Sequence, residues 1–118
     1  MKFGIDTQIP VLRPWQQDSE LKAYNNALER AELAESLGFD YVWIQEHHCA
    51  EEYCHISAPE VFMAAVSQRT KNIRLGLGVS VLPPPFSPPL RIAERRPWYK
   101  YLGMSLDSEG FPILEDRE

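Results

Sequence analysis

The chain has 118 residues, 44% of them apolar, and 12 basic against 17 acidic side chains leave a net charge of −5. That is one modest domain, short of the about 200 residues that a complete (β/α)8 barrel needs; the acidic balance, with no Lys/Arg stripe, excludes an electrostatic nucleic-acid binder. No run of about 18 apolar residues could span a membrane; Asp6 lies too early for a signal peptide and Cys49 and Cys54 are too few for a disulfide scaffold, so a cytoplasmic location with free thiols is expected.

In chain order, Lys2 to Thr7 alternates weakly, with Phe3 and Ile5 on one parity, and predicts a first strand. A loop from Gln8 to Ser19 follows, broken by Pro10 and Pro14, and Asp18 or Ser19 is placed to cap a helix. Glu20 to Leu37 carries Leu21, Tyr24, Leu28, Ala31 and Ala34/Glu35 at steps of three and four, the spacing of one helix face. Gly38 suits the left-handed position after it. Phe39 to Ile44, aromatic and β-branched, predicts strand two.

Gln45 to Ile56 is a polar loop holding all three histidines and both cysteines. Ser57-Ala58-Pro59-Glu60 reads as a capping box, and the helix it opens runs to about Arg69 with Val61, Phe62, Ala65 and Val66 inward. Ile73 to Leu82 predicts strand three, where Gly76 and Gly78 mark a bulge or a close approach of backbone or ligand. Pro83 to Pro89 is a rigid connector, and Leu90 to Arg96 a short helix with Arg91, Arg95 and Arg96 on a solvated face. Strand–helix alternation of this kind implies parallel strands joined by right-handed crossovers. The tail from Pro97 to Glu118 breaks the pattern; a short hairpin with its turn at Asp107 to Gly110, or an arm on a partner, both fit it.

Ligands of parallel α/β folds sit at the C-terminal strand ends. There the first strand offers Asp6-Thr7-Gln8, the second Gln45-Glu46-His47-His48 and the third Gly78-Val79-Ser80-Val81. A histidine after a hydrophobic strand can act as general base or hydrogen-bond donor, and an adjacent Glu can orient it; a loop histidine bonded to a neighbouring carbonyl is the plainer alternative. The order H-H-C-x4-C-H from His47 to His55 matches no zinc-ligand spacing, so no metal is expected. Gly76-Leu77-Gly78 lies within a strand, which excludes the dinucleotide fingerprint.

Leu33 to His48, reading LAESLGFDYVWIQEHH, resembles the opening of the bacterial luciferase-like monooxygenases, and Arg69 to Val79, Leu82-Pro83 and Pro89 to Glu94 continue the likeness in order. The resemblance covers about residues 1 to 95, which sets an N-terminal barrel portion at 1 to 96 and leaves 97 to 118 as an unassigned tail. It implies a partial TIM (β/α)8 barrel comprising the first three βα units. It also implies reduced FMN (or the deazaflavin F420 in a sister branch), O2 and a small organic substrate. By the same resemblance, His47 is catalytic with Glu46 beside it. Gly78 and Val79 meet the flavin ring across a non-proline cis peptide. Asp6, from its place at the end of the first strand, is the further cofactor-binding candidate. The flavin phosphate is held by later strands of the family barrel. A truncated member of this kind is expected to have little activity alone, and its open strand edges imply a homo-oligomer or a partner chain that completes the barrel. A non-catalytic fragment acting through such contacts, with Trp98, Tyr99 and Tyr101 as the surface, is the alternative.

Overall fold

Tyr41–Gln45 (β2) is the middle strand of a three-stranded parallel sheet, between Gly4–Thr7 (β1) and Arg74–Val79 (β3). The computed structural model describes residues 1–83, 88–91, 93–94, 105–106 and 112–113. Register runs Gly4↔Tyr41 to Thr7↔Ile44 on one side and Tyr41↔Arg74 to Ile44↔Leu77 on the other. The helices Ser19–Ser36 (α1) and Pro59–Arg69 (α2) connect the strands. Residues from both helices share one buried cluster with Val42, Ile44 and Leu75, so both lie on the same face of the sheet. Sequential strand order with one-sided helices is the progression of a barrel, whereas a doubly wound sheet carries helices on both faces.

The α1 stripe that enters the core is Ala27, Ala31 and Ala34, flanked by Tyr24 and Leu28. Leu21, expected inward, is 64% exposed. At 3.6 residues per turn it falls roughly 110° from the centre of the alanine stripe, on the helix flank. Asp18 is the N-cap residue, yet its carboxylate does not cap: it pairs with Lys22 at 2.6 Å, while Ser19 Oγ accepts the Gln16 N–H. Gly38 takes φ 81° as expected, and the Phe39 N–H returns to the Ala34 carbonyl to close the helix end.

The buried face of α2 is Pro59, Phe62, Met63 and Val66; Val61 points outward and Ala65 is half-buried. The expected stripe was rotated because six apolar residues in a row, Val61 to Val66, allow two phases, and Met63 against the sheet decides between them. The capping box does not form: Ala58 is the N-cap, without a side-chain cap, and Pro59 opens the helix at its first position.

Strand two begins two residues later than expected, because Asp40 is used as a clamp at the strand's start. Its carboxylate accepts the Phe3 N–H at 2.7 Å and its own N–H bonds the Phe3 carbonyl. Strand three stops at Val79 and not at Leu82. Beyond it, the Val81 N–H turns to the Glu46 carboxylate and not to a neighbouring strand. Residues 89–91 and 93–94 are helical, in keeping with the expected third helix. In the tail, Ser105–Leu106 (β4) and Pro112–Ile113 (β5) pair antiparallel, which realises the hairpin alternative. Trp98, Tyr99 and Tyr101 lie outside the described residues, as do Arg95 and Arg96.

Glu35, at the end of α1, ties the helix layer to the entry of β3. Its carboxylate accepts the backbone N–H groups of Lys71, Asn72 and Ile73, the last at 2.8 Å. Burial pushes this carboxyl up, but the three N–H donors and the Lys71 charge outweigh it and hold it below its usual value of 4.5. Stability from a lowered carboxyl is present above the unfolded value and is lost as pH falls through the folded one. Glu35→Gln is therefore expected to lower stability near neutrality by about 1–2 kcal/mol and to flatten the acid limb of a urea-midpoint-versus-pH curve below about pH 4.5. An acid limb unchanged by the substitution would remove Glu35 as its source.

Candidate functional site

Alternation along β2 sorts its side chains. Val42 and Ile44 enter the helix-side core, which places Tyr41, Trp43 and Gln45 on the opposite face. That face also carries Gly4 and Asp6 of β1 and Gly76 of β3, opposite Tyr41 and Trp43 in register. The Trp43 ring spans both neighbours. A Cβ at Gly76 would meet Trp43 Cε3 and Cζ3 at 2.4 Å, and one at Gly4 would meet Nε1 at 3.0 Å. The close approach signalled by Gly76 is thus made by an indole of the same chain.

At the C-terminal end the ladder slips. Ile44 pairs with Leu77 but Gln45 pairs with Val79, so Gly78 is the extra residue of a bulge. The bulge expected there is present; the cis peptide is not, since Arg13–Pro14 is the cis bond among the described residues. One extra residue in the strand supplies the local bend, with no need of a cis bond between Gly78 and Val79. Gly78 is exposed and Val79 is 37% exposed, and the Val79 carbonyl accepts the Glu46 N–H.

Around this end runs a chain of polar contacts. Gln45 Nε2 donates to Asp6 Oδ2 at 2.7 Å. Gln45 Oε1 accepts from Gln8 Nε2 and lies 3.0 Å from His47 Nε2. Gln8 Nε2 also donates to Tyr53 Oη at 2.7 Å, and the Tyr53 ring meets the His47 imidazole edge-on, with centroids 5.2 Å apart. The His47 backbone N–H is held by the Ile56 carbonyl. A shallow depression lined by His47, Trp15, Cys49, Cys54 and His55 opens beside the ring.

Of the expected site residues, Asp6, His47, Gly78 and Val79 therefore share one mouth, linked through Gln45. Glu46 does not join them. It is 1% exposed; one oxygen faces His48 Nε2 at 3.0 Å, and the other accepts from Ser80 Oγ and the Val81 N–H. It braces the end of β2 against the segment after β3 and orients His48, not His47. Glu46→Ala is expected to cost about 2–3 kcal/mol by stranding these partners, read as a drop in the urea midpoint. A surface-like cost below about 0.5 kcal/mol would contradict the bracing role.

Gln8 and Gln45 were placed at the strand ends by the sequence but given no role; strand parity, with Gln45 two residues before His47, could have supplied one. Tyr53 had no sequence signal, because it arrives from a separate loop. The three histidines engage different carboxylates or amides, His55 facing Glu20 at 2.9 Å, and among the described residues no three His, Cys, Asp or Glu groups are placed to hold a metal. Cys49, exposed, and Cys54, buried, are free thiols. Among the described residues no helix is long and apolar enough to cross a membrane.

Comparison with known proteins puts this geometry in context. The model of the luciferase-like monooxygenase family matches residues 1–95. Limonene 1,2-monooxygenase of Rhodococcus erythropolis is 42% identical over 86 residues, covering 71% of this chain and 21% of that protein. The 4-hydroxyprotoasukamycin monooxygenase of Streptomyces nodosus subsp. asukaensis is 39% identical over 84 residues, covering 71% of this chain and 22% of its own length. A monooxygenase structure from Streptomyces bottropensis superposes with TM-score 0.68 at 31% identity, over 86% of this chain and 30% of that one. The oxygenating constituent of 3,6-diketocamphane monooxygenase from Pseudomonas putida, in complex with FMN, superposes with TM-score 0.52 at 29% identity over 64% of this chain and 20% of that one. The chain thus spans about a fifth of the length of the curated relatives it matches.

Proposed function

The chain belongs to the luciferase-like monooxygenase family, its fold being the first three βα units of that barrel, and on this premise we propose that it carries the His47 corner of a flavin-dependent monooxygenase. The observation that carries the reading is the joint placement of the Gly78 bulge and the Asp6–Gln45–His47 row at one mouth, at the strand ends where such folds act.

The residues fit a flavin. The bulge exposes main chain at Gly78, which carries no side chain of its own, and this would give a flat ring a surface to lie against, with Val79 adding an apolar edge. Gln45 and Asp6 supply polar groups for the ring's heteroatoms. Reduced FMN, when bound, supplies the electrons that activate O2 toward a small organic substrate. With the cofactor bound, His47 would hold or move a proton at an imidazole nitrogen. Its tautomer follows from the contacts. Gln45 turns its NH2 to the acceptor-only Asp6 carboxylate, so its carbonyl faces His47 and the imidazole bears its hydrogen on Nε2. Nδ1 is left as the basic nitrogen. Glu46 acts on the site only by fixing the strand end from which His47 projects.

Among the described residues, β1 and β3 each present an unpaired edge. We propose that further strands, from a second copy or a partner chain, complete the wall around the flavin. The test is a titration of the chain with oxidised and reduced FMN, read by flavin fluorescence, with mass in solution recorded alongside. Saturable binding by a defined assembly is expected. Binding of F420 in place of FMN would move the reading to the deazaflavin branch, and binding of neither would overturn it.

A further inference from the structure

The polar row at the mouth has a property that its individual bonds do not reveal. Gln45, Gln8 and Tyr53 are each able to donate and accept. Turning both amides over yields a second complete set of bonds. Gln8 Oε1 would accept from Gln45 Nε2 and from the Tyr53 hydroxyl, and the other Gln45 hydrogen would go to His47 Nε2, forcing the ring hydrogen onto Nδ1. The neutral members therefore satisfy one another in either direction. Asp6 is the only ionised member. Its carboxylate accepts and cannot donate, so the reversed set would press Gln45 Oε1 against Asp6 Oδ2, now 2.7 Å from an N–H donor.

We propose that Asp6 is a positioning residue that sets the tautomer of His47 from one strand away, through the Gln45 amide. The signal crosses from β1 to β2 and then along β2 to the residue two positions on. The Tyr53 ring packs edge-on against the imidazole, with centroids 5.2 Å apart. Asp6 thereby decides which nitrogen, Nδ1 or Nε2, is offered as base. This assignment rests on the role proposed for His47 only for its catalytic meaning; the tautomer itself is a property of the chain.

The experiment is nitrogen NMR of the full chain with ring-labelled histidine, at a pH where the imidazoles are neutral. The His47 signals are identified by their loss in His47→Gln. The parent chain is expected to show the Nε2–H form. Asp6→Asn, whose side chain can donate, is expected to raise the Nδ1–H fraction severalfold. Asp6→Lys, a donor only, is expected to make Nδ1–H the major form. Asp6 is exposed, so neither substitution disturbs the core. A shift in either variant supports the proposal; an unchanged Nε2–H form in both overturns it. No flavin is needed for this readout. A tautomer shift without FMN binding would sink the proposed function and leave this inference standing, and FMN binding with an unmoved tautomer would do the reverse.

Discussion

His47→Ala is expected to reduce flavin-dependent oxygenation by about 100- to 10,000-fold in the completed barrel, the range associated with loss of a positioned proton-transfer group. Flavin affinity should change little, because on the proposed reading the ring would lie against the Gly78 bulge, with His47 to one side of it. The neighbouring residue provides the control. His48 pairs with the buried Glu46 and lies off the mouth, so His48→Ala should cost stability and leave most of the turnover. Product formation, oxygen uptake and FMN affinity measured on both variants separate the two histidines. Unchanged turnover in His47→Ala, or an equal loss in both, would remove His47 from the chemistry.

Gly76→Ala is expected to destabilise the sheet by about 1–3 kcal/mol, the usual cost of overpacking. The new Cβ would sit 2.4 Å from two atoms of the Trp43 ring. The indole extends from Gly76 across to Gly4, with Tyr41 tilted beside it at 5.9 Å between centroids, so making room for the new Cβ means shifting the ring from its place over both glycines. Trp43→Leu should relieve the clash, so the cost of Gly76→Ala is expected to shrink in that background. A double-mutant cycle on urea midpoints, with tryptophan emission followed alongside, reads this coupling. Additive effects would show that the indole does not dictate the glycine.

Much of this arrangement was legible in residue order. The three βα units followed from periodicity, the left-handed Gly38 from the helix end, and the bulge near Gly78 from glycine inside a strand. His47 could be placed at the mouth because it directly follows a hydrophobic strand. Less legible was the phase of each helix. Leu21 and Val61 are apolar yet face outward, since a short amphipathic pattern tolerates more than one rotation and only the sheet's contour selects among them. The partner of Glu46 was not legible for a similar reason. Adjacent residues on an extended chain point to opposite faces, so the neighbour of His47 in sequence is not its neighbour in space.

Sequence by itself determined the local quantities: which segments are helix or strand, where backbone freedom is required, and which side chains can titrate near a strand end. These depend on residues a few positions apart, and the chain carries them directly. Tertiary structure alone decided the partners. Asp6 meets Gln45 across 39 positions, Glu46 meets Val81 across 35, and the direction of the polar row at His47 depends on both glutamine amides answering to one carboxylate. Hydrogen-bond direction is set by which donors and acceptors the packed strands bring within about 3 Å, and no local pattern encodes that.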